Sequence, residues 1–224
     1  MSAHHELLVG ELREWVIGES FSCLGARIAV RRESFHVALL GKMSELATTK
    51  ELHDEITQFV DSTLRVESNY TTLVAVFDPM PSASEEEFDS ALWGQLQDLH
   101  ELDRQQYEWA AGFSSDPESS KFAFSVAAHP FFVVGMHPLA SRVSRRFRLP
   151  AIAFNSHHQF ERLKRSSVYP GLQQSIRKRE VRLQGSINPA LAEFGDTSEA
   201  RQYSGRAPTE DWRCPFHSIP PKDI

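Results

Sequence analysis

The chain has 224 residues, 41% of them apolar, and a formal net charge of −6. That length suits one large domain or two small ones, and the acidic balance disfavours nucleic acid, whose binders rely on a general attraction to phosphate. Two cysteines make no disulfide framework, and no run approaches a signal peptide or the ~20 apolar residues of a membrane span, so a soluble, cytoplasmic protein is expected.

Charge is unevenly distributed. Residues 1–120 carry 8 Lys and Arg against 22 Asp and Glu, whereas residues 121–224 carry 16 against 8. The basic half could answer the acidic half or hold an anion. In chain order, apolar residues at helical spacing predict helices over 4–17, 24–32 and 48–66, with Ser22 as a cap for the second. Ser84 followed by Glu87 is a capping-box signature that opens a long helix running to about residue 111. Short basic helices are expected over 159–165 and 172–183. Strands are expected over 35–40, 71–77, 121–127, 131–136 and 151–154, where β-branched and aromatic runs are bounded by Pro, Asn or Asp. Five strands and about six helices without regular βαβ alternation predict an α+β fold: a single mixed domain over residues 1–224, its central sheet flanked by helices.

The stretch from His129 to Phe160 concentrates the chemistry. Its two strands bracket a loop carrying His137, Ser141, Arg142, Ser144, Arg145 and Arg146, and the second strand is followed by Asn155, His157 and His158. Four of the ten histidines, His129, His137, His157 and His158, fall in this stretch. Imidazole binds iron, zinc or copper when neutral and moves protons near neutral pH, although each could equally be a polar residue hydrogen-bonded at a strand end. Strand ends that deliver these side chains toward one region would suit an anionic cofactor or substrate. The arginines suit the propionates of a haem or a phosphorylated ligand. Cys214 before Pro215 could present a thiolate to iron, or be a small buried hydrophobe like most lone cysteines. There is no HExxH, CxxC, Gly-x-Ser-x-Gly, Walker loop or dinucleotide fingerprint. The polar segment 183–206 offers Asn188, Glu193, Asp196, Glu199, Arg201 and Tyr203 as pocket residues, its acids suited to a cationic group.

The segments FFVVGMHPLASRVSRRF, AFNSHHQFERL, YPGLQQSIRKRE, LQGSINPALAEFGDTSEARQYSGR and WRCPF together resemble the YqcI/YcgG family, also known by its FPC/CPF motif. The closing Cys214-Pro215-Phe216 matches that motif, whereas Phe21-Ser22-Cys23 has Ser where Pro is usual, and His158 stands where an acidic residue is expected after His157. The resemblance implies a haem b monooxygenase that hydroxylates a guanidine nitrogen of arginine or an arginine-like compound. On that reading His137 is the expected iron ligand beside Arg142, Arg145 and Arg146. His157 is the alternative ligand or the catalytic proton donor, and Glu161, Glu193, Asp196 or Glu199 receive the substrate. Electrons would come from an external donor, and a homodimer is left open. The rival readings are a non-catalytic haem-binding or haem-sensing protein, and a thiol- or zinc-dependent protein using Cys23, Cys214 and His217.

Overall fold

The β-branched and aromatic runs assemble into one mixed sheet. The computed structural model describes residues 3–65, 70–80, 84–186 and 195–219. Its strands are β1 (Phe35–Leu39), β2 (Thr72–Val76), β3 (Phe124–Val126), β4 (His129–Met136) and β5 (Ala151–Ser156), in the order β1-β2-β5-β4-β3. Only β1 and β2 are parallel; the other pairs are antiparallel. The described helices are α1 (Ala3–Ile17), α2 (Leu24–Arg31), α3 (Leu46–Gln58), α4 (Glu85–Asp103), α5 (His157–Lys164) and α6 (Tyr169–Gln184). This is the α+β domain that the pattern predicts.

Strand alternation sorts the sheet's side chains into two cores. On one face Leu73, Ala75, Phe131, Val133, Ile152 and Phe154 meet the apolar stripes of α3 and α4. On the other, Val74, Val76, Met136 and Ala153 meet Leu8, Leu12 and Val16 of α1 and Ala29 of α2. Cys23 packs with the second core and Cys214 with the first, so the two free thiols lie in different layers.

Ser84 and Glu87 form the expected capping box at the start of α4. Ser22 does not cap α2: that position belongs to Cys23, without a side-chain cap, while Ser22 is buried. Helix α4 also ends at Asp103, well before residue 111. The Asp103 carboxylate is held by His53 Nε2 at 2.9 Å and by the Ala127 N–H at 2.8 Å. The chain then turns so that Trp109 can pack against Phe122, Phe124 and Phe216. A buried polar pair and an aromatic cluster outweigh helical periodicity there.

Strand β3 pairs with β4 only as far as Phe131, and the backbone edge beyond it is closed by other means. The Gly135 N–H donates to Tyr203 O at 2.7 Å, and Arg145 Nη1 donates to Gly135 O at 3.2 Å. An open edge would leave ladder groups unpaired. Here the 199–205 segment and one guanidinium complete it.

Candidate functional site

The antiparallel register decides which site residues can meet. Phe131 is opposite Ser156 and Met136 is opposite Ala151. His157, directly after Ser156, is therefore level with the start of β4, whereas His137 follows its end. Strand β4 has 8 residues, so these two levels lie roughly 20–25 Å apart at strand rise. The expected convergence of both histidines on one region is not what the fold builds.

At the His137 end, every arginine is engaged by the protein itself. Arg142 donates to Ser186 O at 3.1 Å and faces Glu180 at 3.8 Å. Arg145 donates to the carbonyls of Gly135, Tyr203 and Gln202 at 3.2, 2.9 and 2.9 Å, and burial lowers its pKa to about 10. Arg146 donates to Ala140 O and Ser141 O. His137 is buried and stacked on Phe88 with ring centroids 4.3 Å apart. Its Nδ1 has no hydrogen-bond partner, and burial lowers its pKa, favouring the neutral ring.

The His157 end is richer. β5 runs into α5 without a linker, which sets His157 and His158 in the helix's first turn. His157 Nε2 meets Glu199 Oε1 at 3.0 Å and Oε2 at 2.9 Å, both residues buried. The Tyr203 hydroxyl lies against the same carboxylate, accepts from the Phe124 N–H at 3.1 Å and is also within reach of Phe131 O at 3.2 Å. Burial raises the Glu199 pKa against the opposing bonds from His157 and Tyr203, and burial beside Glu199 holds Tyr203 far above the usual phenol range. His129 Nε2 meets Ser156 Oγ at 2.8 Å. Burial, reinforced by His158, His157 and Arg162, lowers its pKa to about 4. His158 stands edge-on to His129 at 5.0 Å, and its Nδ1 is 3.7 Å from Glu161 Oε2, half exposed. The half-buried rings of Phe113, Phe132 and Phe160 lie 5.2, 6.4 and 6.2 Å from His157.

Of the expected substrate carboxylates, Glu199 is thus the partner of His157, Glu161 lies exposed beside His158, and Asp196 is exposed on a turn. Glu193 and Asn188 lie outside the described residues. Ser156 joins the cluster without having been singled out from the sequence, which offered His129 as a candidate imidazole and Tyr203 as a pocket residue but did not pair Tyr203 with Glu199. The Glu199-to-Tyr203 spacing of four, in a segment that forms a 3-10 turn over Glu199–Gln202, was the available signal.

Among the described residues no three His, Cys, Asp or Glu side chains group closely enough to hold a metal ion between them. A haem needs only an axial ligand, so that finding bears on a zinc site more than on haem iron. Burial raises the Cys23 pKa and raises that of Cys214 to about 12, which keeps both as thiols. Two shallow hollows lie elsewhere, one of about 450 Å³ along α3 and one of about 350 Å³ on α6, both lined mainly by polar side chains. Among the described residues no helix is long and apolar enough to cross a membrane.

A profile described as the YqcI/YcgG family matches residues 12–217. No curated protein and no solved structure matches the chain.

Proposed function

The chain belongs to the YqcI/YcgG family, and from that premise we propose that it is a haem b-dependent monooxygenase that N-hydroxylates the guanidine group of arginine or an arginine-like compound. The observation that carries this reading is the buried His157–Glu199 pair among aromatic rings. A metal-ligating histidine characteristically gives one ring nitrogen to a carboxylate, which fixes its tautomer and raises its basicity. Glu199 stands in that relation to His157 Nε2, which supports the choice of His157 as the residue that would hold haem iron. Haem bound there would supply the activation of dioxygen or peroxide that N-hydroxylation needs.

The chain's own residues do the rest. Glu199 holds the His157 ring, and Tyr203 holds Glu199 in turn. The half-buried Phe113, Phe132 and Phe160 would supply apolar contacts to a macrocycle held there. Glu161 is the described carboxylate nearest these histidines that still faces solvent, and two of its oxygen lone pairs can accept a guanidinium's parallel N–H groups. His137 remains the alternative iron holder, with its unpartnered Nδ1. The levels of the two histidines are too far apart for both to serve one iron, so the pairing of His137 as ligand with His157 as proton donor is replaced by a choice between them. Electrons come from an external donor.

The test is turnover. Protein reconstituted with hemin and given arginine, a reductant and dioxygen, or peroxide, is expected to form a product heavier by one oxygen atom, detected by mass spectrometry. Stoichiometric haem binding with no product from arginine or any arginine analogue would make it a haem-binding protein without this activity.

A further inference from the structure

We propose that Tyr203 is a redox-active tyrosine that stores one oxidising equivalent beside His157 and exchanges it with the surface through Trp93 and Trp212. The proposal rests on the reading of the His157 end as an oxidising site, since only such a site has use for a one-electron store. Trp93 stacks on Tyr203 with centroids 5.6 Å apart, and Trp212 follows at 6.3 Å from Trp93. Trp93 and Tyr203 are buried, whereas Trp212 is partly exposed. These three rings form a continuous aromatic path from the histidine cluster to solvent.

Three features exceed what core packing needs. The Tyr203 hydroxyl lies against a buried carboxylate that can take its proton. Loss of an electron from a phenol is favourable only when the proton leaves with it, so Glu199 is the group that makes Tyr203 oxidisable. Trp93 Nε1 is buried with no hydrogen-bond acceptor. Unsatisfied buried donors are uncommon and call for a reason. An indole without a proton acceptor keeps its N–H when oxidised, so Trp93 serves as a transient carrier rather than a resting place. Arg201 sits over the Trp212 ring at 5.4 Å. A cation there disfavours a second positive charge on that indole, which drives the oxidising equivalent inward toward Tyr203.

A one-electron oxidant removes an electron from Trp212, Trp93 refills Trp212, and Tyr203 refills Trp93. The Tyr203 O–H proton passes to Glu199, which leaves a neutral phenoxyl radical beside a carboxylic acid. A soluble one-electron reductant reverses the sequence, and Glu199 returns the proton.

The experiment uses the full chain without haem and a photogenerated ruthenium(III) polypyridine as oxidant. Flash oxidation followed by freeze-quench electron paramagnetic resonance is expected to show a phenoxyl radical that Tyr203→Phe lowers at least five-fold, leaving a tryptophanyl signal. Trp93→Phe and Trp212→Phe are each expected to slow its appearance at least ten-fold. Trp212→Phe changes a partly exposed ring, so it tests the path even if the buried substitutions unfold the protein. A phenoxyl signal unchanged in Tyr203→Phe would lie on Tyr70, Tyr107 or Tyr169 and overturn the proposal, as would unchanged kinetics in Trp212→Phe. Because haem is absent from this test, its result is separate from that of haem binding.

Discussion

His129 shows most plainly how one residue's surroundings set a measurable property. Its pKa is lowered to about 4 from an ordinary 6.5, first by burial and then by the neighbouring His158, His157 and Arg162. A folded-state value below the unfolded one means that the unfolded chain takes up the proton first. The stability contribution is therefore complete above pH 6.5 and is lost as pH falls toward 4. The shift corresponds to about 3 kcal/mol at most. Urea unfolding between pH 7 and 4 should show a falling stability whose slope is flattened in His129→Gln, which keeps a polar partner for Ser156. An identical slope in the variant would place the acid sensitivity on His36, His100 or His137, whose values are lowered by burial as well. Tyr203→Phe removes the donor to Glu199 and the acceptor for the Phe124 N–H. Leaving such groups unpartnered costs about 1–3 kcal/mol, which the same unfolding assay at pH 7 would read.

Elements are held to one another here by a few specific contacts rather than by area alone. Arg145 joins β4, the loop after it and the 199–205 segment through three carbonyls. Arg145→Ala should cost about 3 kcal/mol and should raise amide exchange at Gly135, whose N–H bond to Tyr203 O depends on that segment staying docked. Exchange unchanged at Gly135 would mean that the edge is held by the aromatic packing of Tyr203 instead. Gly135 itself is a close approach. A Cβ there would lie 2.6 Å from Leu92 Cδ1 and 2.7 Å from Phe88 Cε1, so Gly135→Ala should push α4 away at a cost of about 1–3 kcal/mol. The elements were mostly legible in the sequence, because the 2.0 and 3.6 periods and the Ser84–Glu87 box are local signals. The end of α4 was not, since Asp103 is fixed by His53 and Ala127, far away in sequence. The site was legible as residue types and as a stretch, but not as an arrangement. His137 and His157 are near in sequence and share a strand pair, and only the antiparallel register puts them at opposite ends. Arg145 was singled out as an anion holder, yet its carbonyl partners lie on Gly135, Gln202 and Tyr203, which residue identity does not reveal.

At the scale of the whole molecule, an acidic helical half and a basic half meet across one sheet, and the histidine cluster sits where β5 turns into α5. If a guanidino substrate docks on the open carboxylate there, arginine should perturb the spectrum of the haem-loaded protein. Glu161→Gln should weaken that response by about two orders of magnitude if the contact is buried on binding, and Asp196→Asn should leave it unchanged. The reverse pattern would move the substrate to the 195–197 turn. The central claim is that haem binds at the His157 end, and hemin titration followed by visible absorption tests it most directly. The native chain is expected to give a Soret band saturating at one haem per chain, His137→Ala to retain it, and His157→Ala to lose it or change its spin state. A native chain that takes up no hemin, or a band lost in His137→Ala and kept in His157→Ala, would contradict the account.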